Sequence, residues 1–453
     1  MGTADTIPNQ ATAGSAESGP SPSASASATA FSSRFGLSWR HWYRWPPLLA
    51  LVWLASLAWT VHWCAGIWAQ SPPAFMDLDV YRLGVQAWWH GQDMYGTLPR
   101  TIAGNYLPFI YPPFAAAIFS PLAALPWVPS AVAIMALSMI SLAGVIYLTS
   151  RRVWPEGGRR GALLATAVFV PLALHSQPVN DTFWFGQINL VLMALVVLDC
   201  LTPHPKWPRG VLIGIAAAVK LTPAVFILFF LLRKDFRASA TAVISGAVCT
   251  ALGFAISFGG SMRYWFGSSG GARSVSGSTF YTNQTIDAAL ARLPGLAHEQ
   301  KVLWLGGGVI IAVLAVIGIR RAHTLNTPAS LPLAMAVTAA FGLIASPTSW
   351  GHHWVYVIPA LIAMLAEAIR RRHVGWLIAA AGTSLVFWYA PFMHETGGHG
   401  PGFFARAWWQ LYTNAYTVVG ILLLIAFAAP AVLRRRRSAP EPEPTETAEV
   451  EPA

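Results

Sequence analysis

The chain has 453 residues, 55% of them hydrophobic and 10% charged, with 21 tryptophans and a formal net charge of +11. A soluble domain averages about 25% charged residues, so this composition excludes one large water-soluble core and describes a polytopic membrane protein. Lys and Arg gather in short clusters beside apolar runs, the positive-inside pattern. No basic, aromatic-interleaved domain accompanies them, which excludes nucleic acid as a partner.

Residues 1–38 form an N-terminal tail, rich in Ala, Ser, Thr and Pro, that reads as disordered. Residues 39–437 read as one membrane domain, and 438–453 as an acidic, Pro-rich tail. A crossing helix needs about 20 apolar residues. Such runs lie at 47–69, 128–149, 161–176, 184–202, 209–232, 239–260, 302–319, 328–346, 353–369, 374–391 and 411–433. Residues 111–125 are apolar but short and carry Pro112, Pro113 and Pro121, so they read as an interfacial or re-entrant piece. Residues 209–232 have basic flanks on both sides. Lys220-Leu221-Thr222-Pro223 in the middle predicts two half-length helices with a turn between them. The expectation is an all-α protein with about twelve membrane helices, interfacial helices in its first outer loop and both termini cytoplasmic. The stretches 70–127, 177–183, 220–223, 261–301, 347–352 and 392–410 then share the outer side, and nearly every unusual polar residue falls in one of them.

Asp77 and Asp79 come after the first span, at a membrane–water boundary where carboxylates are costly unless they bind or react. One of them suits a general base; capping of the next helix is the competing explanation. Lys220 lies inside an apolar segment and suits an anionic phosphate. His352 and His353 are paired, but no carboxylate is near them in sequence, so a metal is not expected; either a substrate-orienting role or a place in the interfacial aromatic belt with Trp350 and Trp354 fits each of them. Gln187 and Asn189 open a span and offer amides to sugar hydroxyls or to neighbouring helices. The Gly- and Ser-rich loop 261–301, which holds Asn283 and Gln284, suits a cover over substrate. Cys64, Cys200 and Cys249 read as packing residues, and His394-Glu395 with His399 lacks zinc-protease spacing.

Several motifs recur in order: Asp77-Leu78-Asp79-Val80-Tyr81, His90-Gly91-Gln92-Asp93-Met94-Tyr95, Tyr111-Pro112-Pro113-Phe114 and Phe185-Gly186-Gln187-Ile188-Asn189. Lys220-Leu221-Thr222-Pro223, Asn283-Gln284-Thr285 and Ser346 through His353 complete the series. Over about 75–430 this series resembles the GT-C glycosyltransferases. Within them it is most similar to the actinobacterial polyprenol-phosphate-mannose-dependent α-mannosyltransferases of glycosyltransferase family 87. The resemblance implies a multi-pass enzyme of the plasma membrane, active on its extracytoplasmic side and needing no cofactor. It implies inverting transfer of mannose from a lipid phosphate to a glycolipid, in α-1,2 linkage to a phosphatidylinositol mannoside or lipomannan. The motif makes Asp77 the base, with Asp79, His352 and His353 as secondary candidates, and puts Lys220 at the donor phosphate. Tyr81, Tyr111, Gln187, Asn189, Asn283, Gln284 and Trp350 are the candidate substrate contacts. The alternatives are a secondary transporter and a GT-C arabinosyltransferase using a decaprenyl-phosphate sugar.

Overall fold

The computed structural model describes residues 45–70, 75–267, 278–293, 295, 298–394 and 403–429. All of tail 1–38, all of tail 438–453, the Gly/Ser-rich stretch 268–277 and the Glu395/His399 pair therefore lie outside the described residues. The chain divides into two units, Met1–Ala50 and Leu51–Ala453, and the second carries every residue of the candidate site. Its described residues form helices and turns, with a single isolated bridge between Asn283 and Trp350 and no strand.

In chain order the helices are α1 Pro46–Ala69, α2 Met76–Trp89, α3 Pro113–Ala124, α4 Trp127–Val153, α5 Gly158–Leu174, α6 Gln177–Phe185 and α7 Asn189–Leu201. They continue as α8 Val211–Val219, α9 Phe226–Leu232, α10 Phe236–Ile256, α11 Phe258–Phe266, α12 Ile286–Ala291 and α13 Gln300–Thr324. The last are α14 Ser330–Ala345, α15 Val357–Arg371, α16 Val374–Tyr389, α17 Phe403–Thr413 and α18 Ala415–Ala428. Among the described residues six helices are long and apolar enough to cross a bilayer, or eight if each bent pair counts once. Length alone thus does not reach the expected twelve. The shortfall has a local cause: α3, α7, α14 and the segment Thr222–Leu232 are apolar but short. A 12-residue helix such as α3 spans about 18 Å against a hydrocarbon core of about 30 Å.

Breaks in these short helices carry polar residues to one end of the bundle. Helix α8 stops at Lys220, whose backbone is extended (φ −148°, ψ 126°), and a short turn at Thr222–Val225 leads into α9. Gly210 packs against Ala238 and Gly214 against Ala242, so α8 and α10 run side by side in the same direction. Arg209 before α8 and Arg233 after α9 lie near enough to Arg152 for their charges to act on it. Both flanks of the broken segment therefore share one end, as the basic clusters predict, and Lys220 lies at the other. Helix α5 bends by 74° into α6, and α6 ends at Gly186. That residue has φ +66°, and a Cβ there would come 2.9 Å from Leu78 Cβ and 3.2 Å from the Phe75 ring. Only glycine admits both the backbone turn and the close approach of α2.

Candidate active site

Helix α2 begins in an unusual way. Phe75 precedes it with φ +66°, a left-handed conformation in which bulky residues rarely persist. Its ring is fully buried beside Trp68 and Trp127, and its N–H donates to Trp184 O at 2.6 Å. This anchoring aims the first turn of α2 at the start of α7. Asp77 and Asp79 both lie in that turn, where negative charge suits the helix dipole, yet neither side chain caps the helix. Their partners differ. Asp77 accepts a hydrogen bond from Gln187 Nε2 at 2.9 Å. Asp79 is buried and accepts from Ile102 N at 2.8 Å, which pins the loop after α2.

The Gln187 amide is held in one orientation. Its Oε1 accepts from the Tyr81 hydroxyl at 2.8 Å and the Tyr111 hydroxyl at 3.3 Å. The Nε2 donor must then face Asp77. Burial pushes the Asp77 carboxyl up to about 6, opposed by the Gln187 hydrogen bond and the positive charge of Lys220. A carboxylate at that value is ionised at neutral pH and still basic enough to take a proton. Burial also raises Asp79, which the Ile102 bond and Arg82 oppose.

Lys220 lies near enough to Asp77 for its charge to act on it. Its Nζ donates to Asn189 Oδ1 at 2.8 Å, lies 2.9 Å from His353 Nε2 and sits 5.6 Å from the centre of the Tyr111 ring. A charged ammonium has only donors, so His353 Nε2 accepts and the imidazole proton resides on Nδ1. That Nδ1 is buried and has no partner among the described residues. The two histidines separate here. His353 turns to Lys220, whereas the His352 ring packs on Phe185 with centroids 5.5 Å apart, and the His352 carbonyl accepts from Asn189 Nδ2 at 2.9 Å. Among the described residues Asp77 forms no ion pair, and the charge of Lys220 acts on it without direct contact.

An open cavity of about 380 Å³ leads away from Lys220. Its lining combines the polar or aromatic residues Tyr111, Tyr264, Thr348, Trp350 and His353 with apolar residues such as Ile110, Leu221 and Phe341. Tyr81, Tyr111, Gln187, Asn189 and Trp350 are thus gathered with Asp77 and Lys220. Asn283 and Gln284 lie behind Trp350, which Asn283 bridges, and offer no free amide. Both are fully buried, and their amides are taken up by the protein. Asn283 Oδ1 accepts from Ser349 N at 2.9 Å. Gln284 Nε2 donates to Thr413 O at 2.7 Å and its Oε1 accepts from Tyr416 N at 3.1 Å. They brace the Ser349–Trp350 segment. Tyr264 is a cavity residue that no motif announced. No three His, Cys, Asp or Glu side chains converge among the described residues.

An all-helical scaffold with several apolar helices long enough to cross a membrane is the architecture of the GT-C class of membrane glycosyltransferases. The family model "Glycosyltransferase family 87" matches residues 109–347, and the chain belongs to that family. A polyprenol-phosphate-mannose-dependent alpha-(1-2)-phosphatidylinositol mannoside mannosyltransferase of Mycobacterium tuberculosis is 36% identical over 86% of this chain and 90% of its own length. The protein of the same name from Mycolicibacterium smegmatis is 40% identical over 70% of this chain and 76% of its own. An M. tuberculosis phosphatidylinositol pentamannoside mannosyltransferase is 30% identical over 84% and 86%. No solved structure matches the chain.

Proposed function

We propose that the protein transfers mannose from a polyprenol-phosphate-mannose donor to a phosphatidylinositol mannoside in α-1,2 linkage. The observation that carries this reading is that the Asp77 carboxyl lies within the field of Lys220, which itself lines a largely apolar cavity. The prenyl chain lies along the apolar walls, and its phosphate meets Lys220, Asn189 and His353. The acceptor hydroxyl approaches from the Asp77 side. Its oxygen bonds to the anomeric carbon as its proton passes to Asp77. The bond from that carbon to the phosphate oxygen breaks, and the electron pair leaves with the polyprenyl phosphate. One displacement inverts the anomeric centre. The leaving phosphate is already stable as an anion, so cationic stabilisation by Lys220 replaces an acid.

The site faces the extracytoplasmic side. Lys220 ends α8 opposite Arg209, and Arg152, Arg209 and Arg233 cluster at the far end, which the positive-inside rule assigns to the cytoplasm.

The test is transfer of radiolabelled mannose from synthetic polyprenol-phosphate-mannose by the full chain in lipid nanodiscs. Asp77→Asn should lower turnover by about 10²–10⁴-fold, the range of general-base catalysis, while the protein remains folded. Full activity of Asp77→Asn removes the base assignment, and absence of transfer by the unaltered protein removes the activity.

A further inference from the structure

Helix α6 carries a second carboxylate that the reaction above does not use. Asp181 is half-buried, and among the described residues it has one partner, the Gln177 Nε2 amide, which donates to its Oδ2. No cation among the described residues pairs with it. Its position is held with care. Tyr416 on α18 is fully buried and donates its hydroxyl to Gln177 Oε1 at 2.8 Å, while its ring stacks on Phe387 with centroids 3.9 Å apart. With Oε1 occupied, the Gln177 amine must point at Asp181. Three residues far apart in sequence thus aim one carboxylate.

Its surroundings indicate what it meets. Gln177, Asp181 and Phe185 are four residues apart and share one stripe of α6. The chain at Gly351–His352 runs along that stripe. A Cβ at Gly351 would come 2.8 Å from Gln177 Nε2, and the His352 ring packs on Phe185. His352 Nε2 is buried without a partner among the described residues, in a side chain only 8% exposed. Two residues past Phe185 comes Gln187, which holds the base. The stripe therefore ends two residues before the amide that hydrogen-bonds Asp77. It presents a carboxyl group, an imidazole nitrogen and an aromatic ring. Those groups fit the O–H donors and apolar face of a hexose. A carboxylate would repel a donor phosphate at the same place.

Resting on the proposed mannosyl transfer, we propose that Asp181, aimed by Gln177 and Tyr416, binds hydroxyls of the acceptor's terminal sugar and positions it for Asp77. The variant Asp181→Asn keeps an oxygen for Gln177 but loses the charge, and Asp181→Ser guards against a folding defect in the first. With octyl α-mannoside as the probe acceptor, kcat/KM for the acceptor should fall about 10- to 100-fold, the range for hydrogen bonds to a charged group. The donor KM and the slow hydrolysis of donor by water, which needs no acceptor sugar, should stay unchanged. Equilibrium binding of octyl α-mannoside to the nanodisc protein should weaken by a similar factor. Unchanged acceptor KM and binding, or a donor KM that moves equally, overturns the assignment. The binding measurement decides it even if the unaltered protein transfers no mannose, so this proposal and the mannosyltransferase reading can fail separately.

Discussion

The two walls of the gap are built on different plans. The Asp77 wall is a closed hydrogen-bond circuit: Asp77, Gln187, Tyr81 and Tyr111 hold one another, and the amide has one orientation left. The Lys220 wall is open. Its ammonium has two protein partners, and beside it a histidine nitrogen is buried with none among the described residues. A base must be aimed at one hydroxyl, so rigid support suits it. A leaving phosphate brings its own oxygens, so unfilled donors at the end of a helix break suit that side. The two sides meet at Tyr111, whose hydroxyl donates to Gln187 and whose ring lies 5.6 Å from Lys220 Nζ.

This contrast can be broken in graded steps. Lys220→Met should have the largest effect after loss of the base. Donor kcat/KM should fall about 10²–10³-fold, as for removal of one electrostatic stabiliser, with acceptor KM unaltered. An unchanged donor kcat/KM would remove Lys220 from the phosphate. Gln187→Leu acts on the opposite wall. The proposed base needs an ionised Asp77, and burial pushes that carboxyl up to about 6, so the proposed activity falls below that pH. Losing the Gln187 donor leaves the carboxylate less stabilised, so the acidic limb of the pH–rate profile should move to higher pH. Turnover at pH 6 should drop about 10-fold, the equivalent of one hydrogen bond to a charged group. A limb that stays in place shows that the amide only fills space. Asp79→Ala, outside the circuit, should give the smallest catalytic change. It frees Ile102 N, so thermal unfolding should show a loss of about 1–3 kcal/mol while transfer continues at nearly the original rate. Loss of transfer with stability intact would exchange the roles of the two carboxylates.

Much of the scaffold and part of the site were legible from local pattern. Apolar runs set where helices form, because an unpaired backbone group in hydrocarbon is prohibitive. The break at Lys220-Leu221-Thr222-Pro223 was readable because proline and a membrane lysine are both exceptional in such a run. Asp77, Asp79, Lys220 and the histidine pair were visible for the same reason. Their partners were not. Nothing near Asn283 or Gln284 says that their amides are consumed by Ser349, Thr413 and Tyr416. Nor does any motif connect Gln177 to Tyr416, 239 positions away.

The amino-acid sequence by itself determined the membrane class, where most apolar helices run, the break at Lys220, and the short set of polar residues that are candidates for function. Tertiary structure alone decided which carboxylate faces the gap, which histidine joins Lys220 and which amides are spent on the protein. The division has one physical cause. Burying apolar surface depends on composition over a window, whereas the direction of a hydrogen bond depends on where two distant stretches of chain come to rest.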